Sequence, residues 1–215
     1  MLSEFLSCGR LTAFRNSYFL VNHFYNTVLQ TERGYKQIFR MFNEISSPLG
    51  EITLRSDGER LTGLWFADDK HYGDKDIQDA QNAELPVFAR AEKWLAEYFA
   101  GCEPKVNVPL QFTGSDFQKS VWKILQKIPY GTLITYGDIA CEIAAQRGLA
   151  RMSAQAVGGA VGRNPLCIII PCHRVIGADG SLTGYGGGMW RKVRLLEIEK
   201  TDMSKLTVPT KGTAL

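Results

Sequence analysis

The pentapeptide Pro171-Cys172-His173-Arg174-Val175 sets a thiol beside an imidazole, directly after the apolar run "LCIII". Sulfur is a strong nucleophile only as thiolate. Such a cysteine therefore needs a nearby base, cation or helix N-terminus to shed its proton. Successive side chains of an extended segment point to opposite faces. If this segment is extended, His173 reaches Cys172 only through a curl of the backbone or a bridging water. A buried structural cysteine is the commoner fate of a free thiol, and on the pentapeptide alone that reading leads.

The remaining chemistry-bearing residues narrow the classes. Five cysteines (Cys8, Cys102, Cys141, Cys167 and Cys172) are scattered without CxxC spacing, and only three histidines are present. That argues against a disulfide framework and a metal cluster, and predicts a reducing, cytoplasmic compartment. No apolar run approaches the roughly 20 residues that span a bilayer, and the N-terminus lacks a secretory signal pattern. Residues 41–104 carry a net charge of −7 and residues 105–200 a net +6. The basic half suits a polyanion such as DNA, and a chance asymmetry of solvated surface explains it equally well.

The elements that must position Cys172 follow from the pattern of the 215 residues. Residues 1–40 are aromatic-rich without periodicity, and the regular pattern begins at Met41; they read as an extension outside the native domain, with an N-terminal helix packed on the domain as the alternative. Residues 41–66 read as two strands about the Asp57-Gly58 turn, with Ile52 and Leu54 on one and Leu61, Leu64 and Phe66 on the other. A polar, acidic loop from Asp68 to Asn82 leads to a helix with Phe88, Ala91, Leu95 and Tyr98 at helical spacing, Pro86 at its start and Gly101 at its stop. "EPKVNVPLQF" reads as a linker.

Ser115 caps a helix with Val121, Ile124 and Leu125 on its apolar face. "TYGDIACEIAAQRG" and the small-residue stretch "SAQAVGGAVGRNP" read as two further helices in a helix-turn-helix-like pair. Gly158, Gly159 and Gly162 weaken the second of these and permit close backbone approach, to another helix or to a DNA groove. "LCIII" reads as a short buried strand or extended run, and "WRKVRLLEIEK" as a last helix. The predicted fold is mixed α/β (α+β), with a small sheet-and-helix domain at 41–108, a helix-rich, winged-helix-like domain at 109–200 and a disordered tail at 201–215.

Four ordered blocks, "SVWKILQKIPYGTLITYGDIA", "AVGGAVGRNP", "IIIPCHRVIG" and "GSLTGYGGG", resemble the O6-alkylguanine-DNA alkyltransferases (methylated-DNA–protein-cysteine methyltransferases) from about Asn43 to Lys200. The resemblance implies irreversible, single-turnover transfer of an alkyl group from O6-alkylguanine, and from O4-alkylthymine, to Cys172. It implies no cofactor, and a monomer whose partner is double-stranded DNA bound through the minor groove, with the damaged nucleotide flipped out. It implies that His173 and Glu199 draw off the thiol proton through a water, that Asn164 ties the turn behind the cysteine, and that Tyr136 donates to the guanine ring as the leaving group gains charge.

By the same resemblance Tyr185 walls the flipped base, Gly186 presents a backbone N–H, Val175 gives backbone contacts, and Val161 and Val157 form an apolar floor. Trp122 supports the core. Thr135, Tyr136, Gln155, Ala156, Gly158, Gly159, Arg163 and Arg151 contact DNA. Singly, Tyr136 and Tyr185 read equally well as packing aromatics, and Glu199 as an exposed carboxylate at a helix end. The pattern departs at Gln155, where many relatives place an Arg that fills the gap in the duplex; Gln lacks its charge and flat stacking face, and Arg147 or Arg151 could supply charge instead. The alternative within the resemblance is a lesion-binding, alkyltransferase-like protein that transfers nothing, a kind that replaces the acceptor cysteine. A cysteine hydrolase using Cys172 and His173 lacks an oxyanion-hole motif.

Overall fold

The computed structural model describes residues 41–69, 81–82 and 84–209. The expected extension at 1–40, most of the acidic loop, and residues 210–215 lie outside the described residues.

Three strands form an antiparallel meander: β1 (Met41–Ser47), β2 (Gly50–Ser56) and β3 (Leu61–Phe66). The expected pair of strands is thus a trio, because the chain reverses at Pro48-Leu49 with Gly50 at φ 110°, a left-handed value that suits glycine. The Asp57-Gly58 turn joins β2 to β3, with Asp57 Oδ1 accepting from the Arg60 N–H at 2.7 Å. β4 (Gln81–Asn82) pairs parallel with β1, giving the order β3-β2-β1-β4.

Helix α1 (Pro86–Phe99) begins with Pro at its first turn, where the missing N–H costs nothing. It buries Phe88, Ala91, Leu95 and Tyr98 in one core cluster with Ile52, Leu54, Leu61, Leu64 and Phe66 of the sheet. The expected linker does more than connect: Leu61 N donates to Pro109 O and Gln111 N to Leu61 O, so it lies along the β3 edge.

The second half packs α2 (Asp116–Leu125), α3 (Tyr136–Gln146) and α4 (Ala154–Val161) on the same core. Each start is capped. Ser115 and Thr135 form capping boxes with Gln118 and Asp138, and Ser153 accepts from Ala156 N. Between these helices and α5 (Met189–Ile198), a parallel pair joins β5 (Ile134–Thr135) to β6 (Val175–Ile176). Residues of the expected tail make fixed contacts: Leu182 N donates to Thr207 O, Thr207 N to Gly180 O, and Thr201 is buried. No helix among the described residues is long and apolar enough to cross a membrane.

Candidate active site

The "LCIII" run is a stack of reverse turns and not the expected strand or extended run. Leu166 alone bridges Leu64, after which Ile170 N turns back to Leu166 O at 2.9 Å. Pro171 (φ −80°, ψ 65°) forms an inverse γ-turn in which Cys172 N donates to Ile170 O at 2.8 Å. Cys172–Arg174 then form one turn of 3₁₀-helix, so Cys172 and His173 do not sit on the two faces of an extended segment. They still face different neighbours.

Cys172 is buried, at 6% exposure. Its Sγ lies 3.2 Å from Asn164 Nδ2, which also donates to Ile170 O at 2.7 Å, while Asn164 Oδ1 accepts from Leu166 N. One amide side chain therefore fixes both ends of the turn and the sulfur. The neighbouring Cys167 thiol draws the Cys172 thiol below its ordinary value; burial opposes this, and the Asn164 amide and the Lys192 charge assist.

His173 is wholly buried, with Nε2 2.6 Å from Glu199 Oε1. Burial lowers its pKa against the pull of Glu199, so the ring is neutral near neutral pH. A neutral ring that donates from Nε2 keeps its lone pair on Nδ1, and Nδ1 has no hydrogen-bond partner among the described residues. Burial works to raise the Glu199 carboxyl, but hydrogen bonds from His173 and Arg174 outweigh it and hold the group at about 2. Tyr98 Oη and the Gly131 N–H also donate to this carboxylate, at 2.8 and 3.0 Å. The helix-end carboxylate is thus buried and fully engaged, and it holds the imidazole in the tautomer of a base.

Tyr136, at the start of α3, donates from Oη to Thr183 O at 3.1 Å; burial and the adjacent Cys172 push its pKa up to about 12. A Cβ on Gly184 would lie 2.8 Å from Tyr136 Oη, and Gly184 is at φ 71°, so only glycine fits there. Tyr185 is buried near Cys167 and Cys172. Gly186 lies against Asp69, where a Cβ would come within 3.2 Å of the carboxylate. The Val175 carbonyl accepts from Lys192 Nζ at 2.6 Å. Val157 and Val161 are buried on the inner face of α4, and Trp122 Nε1 donates to Ala160 O across from α2.

The expected DNA contacts gather on the outer face. Gln155, Ala156, Gly159 and Arg163 are exposed on and just after α4, Gly158 is half-buried, and Arg151 is exposed before it. A Cβ on Gly158 would meet only the Tyr136 ring, at 3.8 Å, and one on Gly159 only Arg163, at 3.6 Å. Both are ordinary contacts, so the protein's own packing does not require glycine at either position. The Thr135 hydroxyl is spent on its capping box with Asp138, and the Arg147 guanidinium lies over the Phe117 ring at 5.3 Å.

Three polar side chains around the site escaped the sequence reading. Arg174 sits inside the motif and donates to Glu199 from Nε and Nη2 and to Ile128 O from Nη1. Tyr98 was read as part of an apolar face. Lys192 is buried, with Nζ bound to Val175 O and Thr183 O, and burial lowers its pKa to about 8. Its signal was available: Lys192, Leu195, Leu196 and Glu199 share a face at i, i+3, i+4 and i+7, so the lysine falls on the inward stripe of α5.

Comparisons with known proteins agree with this arrangement. Residues 42–112 match the family model "6-O-methylguanine DNA methyltransferase, ribonuclease-like domain", and residues 116–201 match "6-O-methylguanine DNA methyltransferase, DNA binding domain". The chain is 44% identical over 160 residues to the methylated-DNA–protein-cysteine methyltransferase of Mycobacterium tuberculosis (strain ATCC 25618 / H37Rv), covering 74% of this chain and 92% of the relative. It is 37% identical over 161 residues to the constitutive protein of that name from Bacillus subtilis (strain 168), covering 74% and 94%. Among solved structures, Mycobacterium tuberculosis OGT in complex with DNA is similar at a TM-score of 0.64 and 44% identity, covering 74% of this chain and 92% of that one. With both family models matched in order around the Cys172 site, the chain belongs to the 6-O-methylguanine DNA methyltransferase family.

Proposed function

We propose that the chain repairs alkylated DNA by moving the alkyl group of O6-alkylguanine, and of O4-alkylthymine, onto Cys172. The observation that carries this reading is the placement of the Cys172 sulfur on Asn164, beside a neutral imidazole whose Nδ1 is left to accept a proton. His173, oriented by Glu199, takes the thiol proton through an intervening water. Sulfur then attacks the alkyl carbon, the S–C bond forms, and the C–O bond breaks with its electron pair going to the base. Tyr136 donates to the ring as that charge develops. Tyr185 walls the base, Gly186 offers its N–H, and Val157 and Val161 form the floor beneath. The thioether is stable, so each molecule acts once.

A base inside a duplex cannot reach a buried sulfur, so the nucleotide leaves the stack. The exposed small-residue face of α4, with Gly158 and Gly159 unneeded by the interior, suits close docking in a minor groove. Gln155 stands where the opened gap must be filled, and Arg151 and Arg163 supply charge toward the backbone. The four free cysteines among the described residues suit a reducing cytoplasm.

Intact mass spectrometry after incubation with a duplex carrying one O6-methylguanine tests this. One methyl group is expected, mapped to Cys172, and none on the Cys172→Ser variant, which still binds duplex. Binding without any mass change would instead establish a lesion-binding protein that transfers nothing.

A further inference from the structure

A cleft of about 370 Å³ opens where β2 and α2 meet the C-terminal end of α4. Its walls include Arg55 of β2, Gln118 and Trp122 of α2, and Gly162 and Arg163 just after α4. Among the described residues that line it, the two charged side chains are both arginines. The sheet holds Arg55, which is half-buried, in a set pose. Its Nε and Nη2 donate to the Thr62 hydroxyl and carbonyl, each at 3.2 Å, and its guanidinium lies 5.6 Å from the centroid of the Trp65 ring. Gly63 stands opposite Arg55 in the β2–β3 pair. A Cβ there would overlap the Trp65 ring and come within 3.3 Å of Arg55 Cβ. Glycine thus lets the indole lie back across β3, where it carries the arginine.

The opposite wall is the end of a helix, and exposed carbonyls there would repel an anion. In α4 these carbonyls are taken. Gly158 O accepts from Gly162 N, Ala160 O from Arg163 N and Trp122 Nε1, and Val161 O from Asn164 N. Gly159 O accepts from Arg163 Nη1 at 3.1 Å. The exposed Arg163 therefore satisfies the helix end and brings a positive charge to the cleft.

Two guanidinium groups from different elements on one cleft suit a phosphate, whose oxygens match the guanidinium fork. A helix lying in a minor groove has a sugar–phosphate strand along each side, because the groove is only about 6 Å wide. Arg163 follows directly on α4, so the cleft continues the docking face proposed for that helix. Arg55 belongs to the half of the chain with a net charge of −7, and its place on this cleft sets a cation of that acidic half beside the basic one.

We propose, building on the docking of α4 in the minor groove, that the cleft is a phosphate clamp: Arg55 and Arg163 grip one backbone phosphate of the duplex, so that the sheet shares in holding DNA. Such a contact reads no base and fixes the register of the duplex along α4.

The test is duplex binding by wild type, Arg55→Gln, Arg55→Lys and Arg163→Ala over a range of salt, with single neutral methylphosphonates walked along each strand. Arg55→Gln should weaken binding about tenfold or more at low salt, as loss of a charged hydrogen bond does, and flatten the salt dependence by about one counterion. Arg55→Lys should recover the slope. One methylphosphonate position should weaken wild type yet leave Arg55→Gln and Arg163→Ala no weaker than they already are. Affinity unmoved by Arg55→Gln overturns the clamp, also where inorganic phosphate raises the melting temperature of wild type alone, which marks a site for free anions. A loss that Arg55→Lys repeats at unchanged slope overturns it too, because that marks support of the sheet. So do separate methylphosphonate positions for the two arginines. Gly158→Ala reports on α4 by itself: if it leaves duplex affinity intact, the docking of α4 fails, and the Arg55 results still decide the clamp.

Discussion

Oε1 of Glu199 lies 2.6 Å from Nε2 of His173, and the same carboxylate accepts from Arg174, Tyr98 and the Gly131 N–H. Because this fold holds the Glu199 carboxyl at about 2, against 4.5 for the free group, its stabilisation is present above pH 4.5 and lost as pH falls toward 2. Glu199→Gln should cut the transfer rate by roughly 10²–10⁴ through the mis-set imidazole. It should also destabilise the fold by about 3 kcal/mol or more, since the Arg174 charge stays buried without its partner. Duplex affinity should not change. Single-turnover rates, binding titrations and acid-unfolding curves of both proteins check this; an unchanged rate would remove the carboxylate from proton handling.

Asn164→Ala removes donors to Ile170 O and Cys172 Sγ and the acceptor for Leu166 N. Leaving these buried groups unpaired should cost about 1–3 kcal/mol. Loss of a donor to sulfur should also move the ionisation of Cys172 upward, slowing transfer at neutral pH. Denaturant unfolding and a pH–rate profile read the two effects separately.

Gly158→Ala separates packing from DNA docking. The added methyl meets only ordinary contact with Tyr136, and a helical Gly→Ala exchange stabilises by up to about 1 kcal/mol. The melting temperature should rise while affinity for duplex DNA falls. Parallel gains in both would show that DNA does not press on this face of α4.

Gln155 is exposed on α4, free to enter a duplex. Gln155→Arg should tighten duplex binding, steepen its salt dependence by about one counterion, and speed transfer from duplex lesions. It should leave transfer from free O6-benzylguanine unchanged, because a free base needs no flipping. Equal effects on both substrates would exclude a gap-filling role.

The sequence revealed those parts of the protein whose signals are local. The start of α2 was readable from its cap Ser115, and α1 from the spacing of Phe88, Ala91, Leu95 and Tyr98. β1 was missed because Met41–Ser47 buries little besides Phe42 and shows no strong alternation. The turns of "LCIII" were unreadable because five apolar residues in a row look like a strand. Only the pins from Asn164 and Leu64 bend them. Arg174 went unnoticed because nothing local reveals that its acceptors, Glu199 and the Ile128 carbonyl, 25 and 46 residues away, will surround it, whereas Lys192 was betrayed by its place on the inward stripe of α5.

Arg191 reaches from α5 to the Leu49 carbonyl, the Gly187 carbonyl and Asp68, with its guanidinium between the rings of Phe66 and Trp190. Together with the Tyr98–Glu199 bond and the Leu64–Leu166 bridge, it laces the first half of the described chain to the second at three places far apart in sequence. Continuity of the chain is then not what keeps these parts in register. A protease nick in the exposed stretch around Cys102 and Glu103 would leave two fragments still fastened through a shared core and these buried anchors. Separately made fragments would have the surfaces needed for non-covalent complementation, each supplying the fold that the other lacks.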